Sequence, residues 1–259
     1  MRAKRLNLIT AAFASLVFLS CDRTIEEFQT EALSEYQPLQ PGKYITYRLD
    51  STVFTNFGAN VVTRYFQERH VVDAQIPDAL GRPSYRILRF TRDSGGTQPW
   101  APAGSYFVTP LTNTLEVVEN NLRFVKLVSP IMENNTWKGN RYLPDDAYGP
   151  LFSFNNDFGM DQWDYTYTAK GESKVIRGRS YNNVLTVDGI DEAFNATAHT
   201  TNITNTSVIA YVNYLHDQYA KGVGLIYQEY MMWEYQPPNG TNPGGQVGFG
   251  VKRTIIDHN

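Results

Sequence analysis

Residues 163–168 read Trp163-Asp164-Tyr165-Thr166-Tyr167-Thr168, three large aromatics alternating with three polar residues. Successive side chains of a strand point to opposite faces, so this stretch has one apolar face and one polar face at period two. Working outward, the same period returns where Ile45, Tyr47 and Leu49 alternate with Thr46, Arg48 and Asp50. Long β segments are predicted at residues 61–72, 84–91, 223–235 and 248–256, and shorter ones at 105–109, 115–118, 122–128 and 181–187. In the last long segment Phe249, Val251 and Ile255 share a face. Across 61–72 polar residues punctuate both faces, Arg64, Glu68 and His70 against Gln67 and Arg69, which predicts a sheet with one wet side. Residues 208–219 read two ways. Val208, Tyr211, Val212, Leu215 and Tyr219 would share a helix face, yet the β-branched and aromatic content favours a strand, and strand is preferred. Turn chemistry fills 92–103, 144–157 and 237–245, and no internal repeat is visible. The expectation is an all-β chain with a single domain: a strongly curved antiparallel sheet or half-open β-barrel.

Composition narrows the function. A single cysteine among 259 residues excludes an internal disulfide framework and any Cys-rich zinc site. A pI near 5.8 argues against nucleic acid, whose binders need a basic surface to displace phosphate counterions. The N-terminus carries Arg2, Lys4 and Arg5, then an apolar run to Leu19 interrupted only by Asn7, Thr10 and Ser15. That run is short for a membrane span, which needs ~20 residues, and suits a signal-peptide core. It ends in Val17-Phe18-Leu19-Ser20-Cys21, followed by Asp22, Arg23, Glu26 and Glu27. The junction resembles a bacterial lipoprotein signal peptide, in which the Cys becomes the mature N-terminus and carries acyl chains. Phe18 departs from the usual Leu three residues before the Cys, a looseness that Bacteroidota-type signals tolerate. The resemblance implies a signal peptide over 1–20, a lipidated Cys21 that anchors the chain to the lipid bilayer, and a place in the cell envelope at the outer membrane, on its periplasmic or surface face. Residues 21–41, polar and ending in Pro38 and Pro41-Gly42, read as a flexible tether, and 42–259 as the β domain. Removing 1–20 takes away three cations and no acid, leaving 20 basic and 26 acidic side chains and a net charge of −6. The anchor, not the protein surface, would then hold the chain to an anionic membrane.

Four further segments carry a broader likeness: Pro41-Gly42-Lys43-Tyr44-Ile45-Thr46-Tyr47-Arg48-Leu49-Asp50-Ser51, Trp137-Lys138-Gly139-Asn140, Tyr181 through Val187, and Tyr219-Ala220-Lys221-Gly222-Val223-Gly224-Leu225-Ile226-Tyr227. Together they resemble a domain-of-unknown-function family of Bacteroidota outer-membrane and periplasmic lipoproteins built on a curved antiparallel sheet. The resemblance implies a fold and a compartment; no activity and no functional residues come with it. Gly222 and Gly224 are two apart, so on a strand they would bare one face and let the sheet bend or a second backbone approach; a hairpin turn at Lys221-Gly222 explains them equally well.

Catalytic motifs are scarce. Asp93-Ser94-Gly95-Gly96 has the look of a serine nucleophile loop without the rest of such a site, and reads as a polar turn. His70, His199, His216 and His258 are scattered without ligand spacing, so no metal and no cofactor is assigned. Acids and aromatics gather between residues 145 and 163. Asp145, Asp146, Asp157 and Asp161 are candidates for calcium ligation or for the paired carboxylates of a glycan hydrolase. Tyr148, Phe152, Phe154, Phe158 and Trp163 are candidates for a ligand-binding platform, since aromatic faces bind sugars and lipids by stacking and area burial. Asp50-Ser51-Thr52 resembles the short O-glycosylation motif of exported Bacteroidota proteins, which would mark Ser51. The sequence thus favours a non-enzymatic, membrane-anchored binding module for an apolar or amphipathic ligand (a lipid or a glycan) or for an envelope partner protein. A glycan-active hydrolase and a structural subunit of an envelope assembly are the alternatives.

Overall fold

The structure, a computed structural model, describes residues 31–152 and 159–259. The first six strands are β1 (Tyr44–Thr55), β2 (Asn60–Pro77), β3 (Pro83–Asp93), β4 (Ala101–Pro110), β5 (Thr114–Glu119) and β6 (Leu122–Val128). The second six are β7 (Thr136–Lys138), β8 (Asp164–Ile176), β9 (Arg179–Phe194), β10 (Ala210–Ala220), β11 (Gly224–Gln236) and β12 (Gly245–His258). Each set is an antiparallel meander. Pairing of β1 with β12 joins them into one 12-stranded sheet of order β6-β5-β4-β3-β2-β1-β12-β11-β10-β9-β8-β7. Two single-turn helices, α1 (Leu33–Tyr36) and α2 (Gly149–Phe152), and a 3-10 turn at Met160–Gln162 complete the described residues.

The sheet curls because its ladders slip repeatedly. Registers shift at Thr46/Tyr47, Val72/Ala74, Arg89/Phe90 and Tyr214/His216, and each bulge adds twist and bend to its strand. Curling brings the edge strands β6 and β7 together, and hydrogen bonds from β6 to residues 137–139 and to Tyr167 of β8 stitch the edges where a full ladder does not form. The Trp137 indole Nε1 donates to the Val125 carbonyl at 2.8 Å, and Val125 N donates to the Gly139 carbonyl at 2.7 Å. The Tyr167 hydroxyl accepts from Val128 N and donates to Val128 O, both at 2.7 Å. The result is a nearly closed barrel whose seam satisfies edge groups that would otherwise be exposed for strand addition.

The alternating stretch at 163–168 fulfils its reading: Tyr165 and Tyr167 are fully buried, while Thr166 meets Thr136 and Thr168 meets Asp188 on the other face. Residues 210–220 form a strand. Its backbone pairs with β9 on one side and β11 on the other, and two ladders outweigh a local helical period.

Residues 31–41, the end of the expected tether, pack onto the barrel. Leu33 and Tyr36 are buried in the main core cluster with Val72, Tyr167 and Tyr219, and Gly222 N donates to the Glu35 carbonyl at 2.6 Å. Three residues apart, Leu33 and Tyr36 share one side of the α1 turn, which makes a short polar segment into a plug. Further along β11 a second cover comes from Leu143, Ala147, Tyr148, Met160 and Trp163, which pack on Phe124 and Met232.

Candidate functional site

Between these two covers the barrel interior is part aliphatic and part charged. Period two places Arg253 on the β12 face already marked by Phe249, Val251 and Ile255, and its side chain, 14% exposed, reaches the interior cavity. Arg253 Nε donates to Glu68 Oε2 at 2.6 Å, and its second nitrogen donates to Gln228 Oε1 at 2.5 Å. The Gln228 amide donates in turn to Asp217 Oδ1 at 2.8 Å. Asp217, with no exposed surface, also accepts from Lys126 Nζ at 3.2 Å and from the Tyr219 hydroxyl at 3.3 Å. On the far side of Glu68, His70 Nδ1 lies 3.1 Å from the Tyr106 hydroxyl, and Arg89 ion-pairs with Glu119 nearby. A chain of polar groups therefore runs through the core from β4 to β6 by way of β2, β12, β11 and β10.

Its electrostatics are internally balanced. Burial pushes the Glu68 carboxyl up, but Arg253 and His70 outweigh burial and hold it well below the usual carboxylate range. Burial works to lower Arg253, and Glu68 and Glu119 more than reverse it. Burial raises the hydroxyls of Tyr47, Tyr106 and Tyr219, which stay neutral. Charges removed from water persist only when paired and hydrogen-bonded, and here each carboxylate has its cation.

Beside this chain lies a cavity of about 100 Å³. Val72, Ile87, Val108 and Leu115 form its aliphatic wall, His70, Lys126, Gln228 and Arg253 its polar wall, and Gln37 and Pro38 of the plug its cover. Sequence reasoning passed over Lys126, Asp217, Gln228 and Arg253, and Glu68, read as part of a wet face, is instead buried at 4% exposure because Arg253 pairs with it. The available signal was a charged or amide residue at a period-two core position, as at Asp217 between Leu215 and Tyr219.

The residues singled out from sequence fall elsewhere. Tyr148 and Trp163 are buried in the second cover, and Phe152 packs against the same cluster with its ring 5.1 Å from Phe249. Their faces contact protein neighbours. Phe154, Phe158 and Asp157 lie outside the described residues, as does Cys21 with the whole of 1–20. Asp145 and Asp146 are exposed, and Asp161 bonds the neighbouring Gln162 amide. Among the described residues no three His, Cys, Asp or Glu side chains are grouped to hold a metal. Gly222 sits in the β10–β11 hairpin turn at φ +79°, and Gly224 opens β11 at φ +114° with Ile45 against it. Ser51 is half-buried in the middle of β1, flanked by β2 and β12. In the Asp93 turn the carboxylate accepts from Thr97 N and Gln98 N, the work of a polar turn. Gly139 of the Trp137-Lys138-Gly139-Asn140 segment lies against the Tyr165 ring, where a Cβ would come within 2.5 Å of it.

Fold and site together define an antiparallel, nearly closed barrel with a charged chain through an otherwise apolar core. No family model and no curated protein matches the chain. Among solved structures it is similar to a protein of YmcC-like fold from Bacteroides fragilis, described as exported, at 11% identity over 84% of this chain and 97% of that one, with a TM-score of 0.34. It is also similar to an outer membrane lipoprotein-sorting protein domain from Vibrio parahaemolyticus, at 11% identity over 84% and 85% of the two chains, with a TM-score of 0.19. Scores this low do not equate the folds.

Proposed function

We propose that the chain is a lipid-anchored protein of the cell envelope that takes a small amphipathic ligand into its barrel and performs no chemistry on it. The observation that carries this reading is the cavity itself, aliphatic on one side and charged on the other, beneath a cover formed by residues 31–41. Concave, mostly apolar sites with a few placed polar groups are where small ligands bind. The cover is continuous in sequence with Cys21, so the anchor and the cavity mouth are about ten to twenty residues apart, at most ~3.6 Å per residue of reach.

Native mass spectrometry of the full chain, gently extracted from envelopes, tests the binding arm. A bound mass is expected, and it should be lost when Val117→Trp fills the cavity from its half-buried rim. A ligand-free spectrum that stays unchanged across added lipids, glycans and small amphiphiles refutes it. The anchor is tested by Cys21→Ala, which should no longer label with a palmitate analogue and should leave the membrane fraction. Continued labelling would place the acyl chain elsewhere or nowhere on this residue.

A further inference from the structure

Charge is missing from one end of the barrel. Asp, Glu, Lys and Arg make up 19% of the chain, yet residues 51–63, 193–216 and 235–251 contain none of them. The topology gathers these runs at one mouth, where they supply the β1–β2 turn, the β9–β10 loop and the β11–β12 loop. Residues 31–41 close the opposite mouth, beside the β10–β11 turn. Hydrogen bonds brace the three loops. Gln246 N donates to the Gly58 carbonyl and Gln246 Nε2 to the Thr201 carbonyl, both at 3.0 Å. The Tyr235 hydroxyl donates to the Thr206 carbonyl at 3.0 Å, and Asn195 Nδ2 reaches the carbonyls of Asn205, Val208 and Ile209 at 2.7, 3.2 and 3.1 Å. A surface fixed in this way loses little freedom when something docks on it.

Apolar side chains stand out from this braced end. Phe57 is 95% exposed, and Phe194, Val208 and Ile209 are exposed as well. Phe57 also sits at φ +54°, a left-handed conformation that favours Gly, Asn or Asp, so turn chemistry does not select its ring. Few charges together with aromatic and aliphatic side chains is the composition of an interface core, whereas free surfaces are richly charged.

Charge also points to the occupant. The chain is net −3, so an anionic lipid surface repels it, and so does a second copy approaching at random. At the neutral end two copies meet without like charges opposed. Its polar residues are Asn, Gln, Ser and Thr, each both donor and acceptor, so the same surface on a second copy can satisfy them. The charges that border the patch have opposite signs, Arg64 on β2 and Glu192 on β9, both exposed. A two-fold axis that sets β2 of one copy beside β9 of the other brings these signs to the same border. We infer that the neutral end is a self-association face, through which two copies of this chain meet end to end about a two-fold axis. From β2 to β9 the rim crosses six strands, about 24 Å at ~4.8 Å per strand. That width belongs to the small, reversible class of interface.

The test places a photo-reactive benzoylphenylalanine at Phe57 of the full chain, in the cells that express it. The control carries the same side chain at Leu80, exposed in the β2–β3 turn at the other end. Irradiation at Phe57 should give an adduct of twice the chain mass, joined to residues 51–63, 193–216 or 235–251 of the second copy. Leu80 should give at least tenfold less of it. Ile209→Asp, which puts a carboxylate on the neutral face, should cut the Phe57 homodimer at least tenfold with an unchanged thermal midpoint. Should that variant not fold, Val208→Asp carries the same test. A lipid adduct at Phe57 would assign the face to a bilayer, and an adduct with another protein to a different partner; either overturns the pairing of copies. So do the lack of any adduct, equal homodimer yields from Phe57 and Leu80, and a homodimer that the Asp variant leaves undiminished.

Discussion

Arg253 holds Glu68 and Gln228 at once from a position 185 residues from Glu68 along the chain. Replacing it by Leu keeps much of the volume and strands a carboxylate that is 4% exposed. Removing one partner of a buried pair costs about 3–5 kcal/mol, so Arg253→Leu should lower the urea midpoint by that equivalent. Adding Glu68→Gln to Arg253→Leu should recover part of the loss, because the stranded charge is gone; a double variant no better than the single would show that the loss is packing. Glu68 also sets an acid limit. Its folded pKa lies well below its unfolded value of about 4.3, so its stabilising contribution is complete above that value and fades as pH falls through the folded one. Glu68→Gln should therefore flatten the acid side of the stability profile, read by thermal melts between pH 2 and 6. A profile that keeps its acid slope would assign the slope to other carboxylates.

At the scale of the elements, the seam decides whether the sheet is a barrel or an open curl. Tyr167→Phe keeps the ring against Trp137, 4.6 Å away, but removes the acceptor of Val128 N and a donor to Val128 O. Leaving buried backbone groups unsatisfied costs about 1–3 kcal/mol each, and the Val128 amide should exchange with deuterium faster while Val72, within the β1–β3 region, keeps its protection. Uniform acceleration across the sheet would mean that the seam is not a separate unit. Most strands were legible in the sequence because period two is a local signal, as at Tyr165 and Tyr167. What β2 does with its polar residues was not. Glu68 and His70 enter the core, and the groups that make this possible (Arg253 on β12, Tyr106 on β4) come from strands that only the curl brings together. Strand 210–220 was ambiguous for the same reason: its helical period is local, and the two ladders that override it are not.

At the scale of the molecule, the barrel is closed at one mouth by its own leading segment, and the force that seats it can be identified. Glu35 pairs with Lys221 at 3.3 Å, but both are substantially exposed, and such pairs contribute about 0–1 kcal/mol. Leu33 and Tyr36, at 6% and 0% exposure, are core residues, and truncating a large buried ring costs about 3–5 kcal/mol. A polar composition made 31–41 look like a tether because Leu33, Tyr36 and Leu39, spaced three apart among Glu, Gln, Ser and Pro, are too few to register as a pattern, though the α1 turn puts Leu33 and Tyr36 on one side. Tyr36 also has its hydroxyl 2.5 Å from Glu31, a contact that Tyr36→Phe removes without touching the ring. Seating by apolar burial makes three outcomes separable in one series. Glu35→Gln and half-molar salt should leave the unfolding midpoint within about 0.5 kcal/mol of the parent. Tyr36→Phe should fall within about 1.5 kcal/mol. Tyr36→Ala should lose the full ring contribution and, by uncovering the cavity that Gln37 and Pro38 border, bind an environment-sensitive dye that the parent excludes. Were salt or Glu35→Gln to admit the dye as readily as Tyr36→Ala, the plug would be an electrostatic latch, and access to the cavity would answer to ionic strength instead of to displacement of the ring.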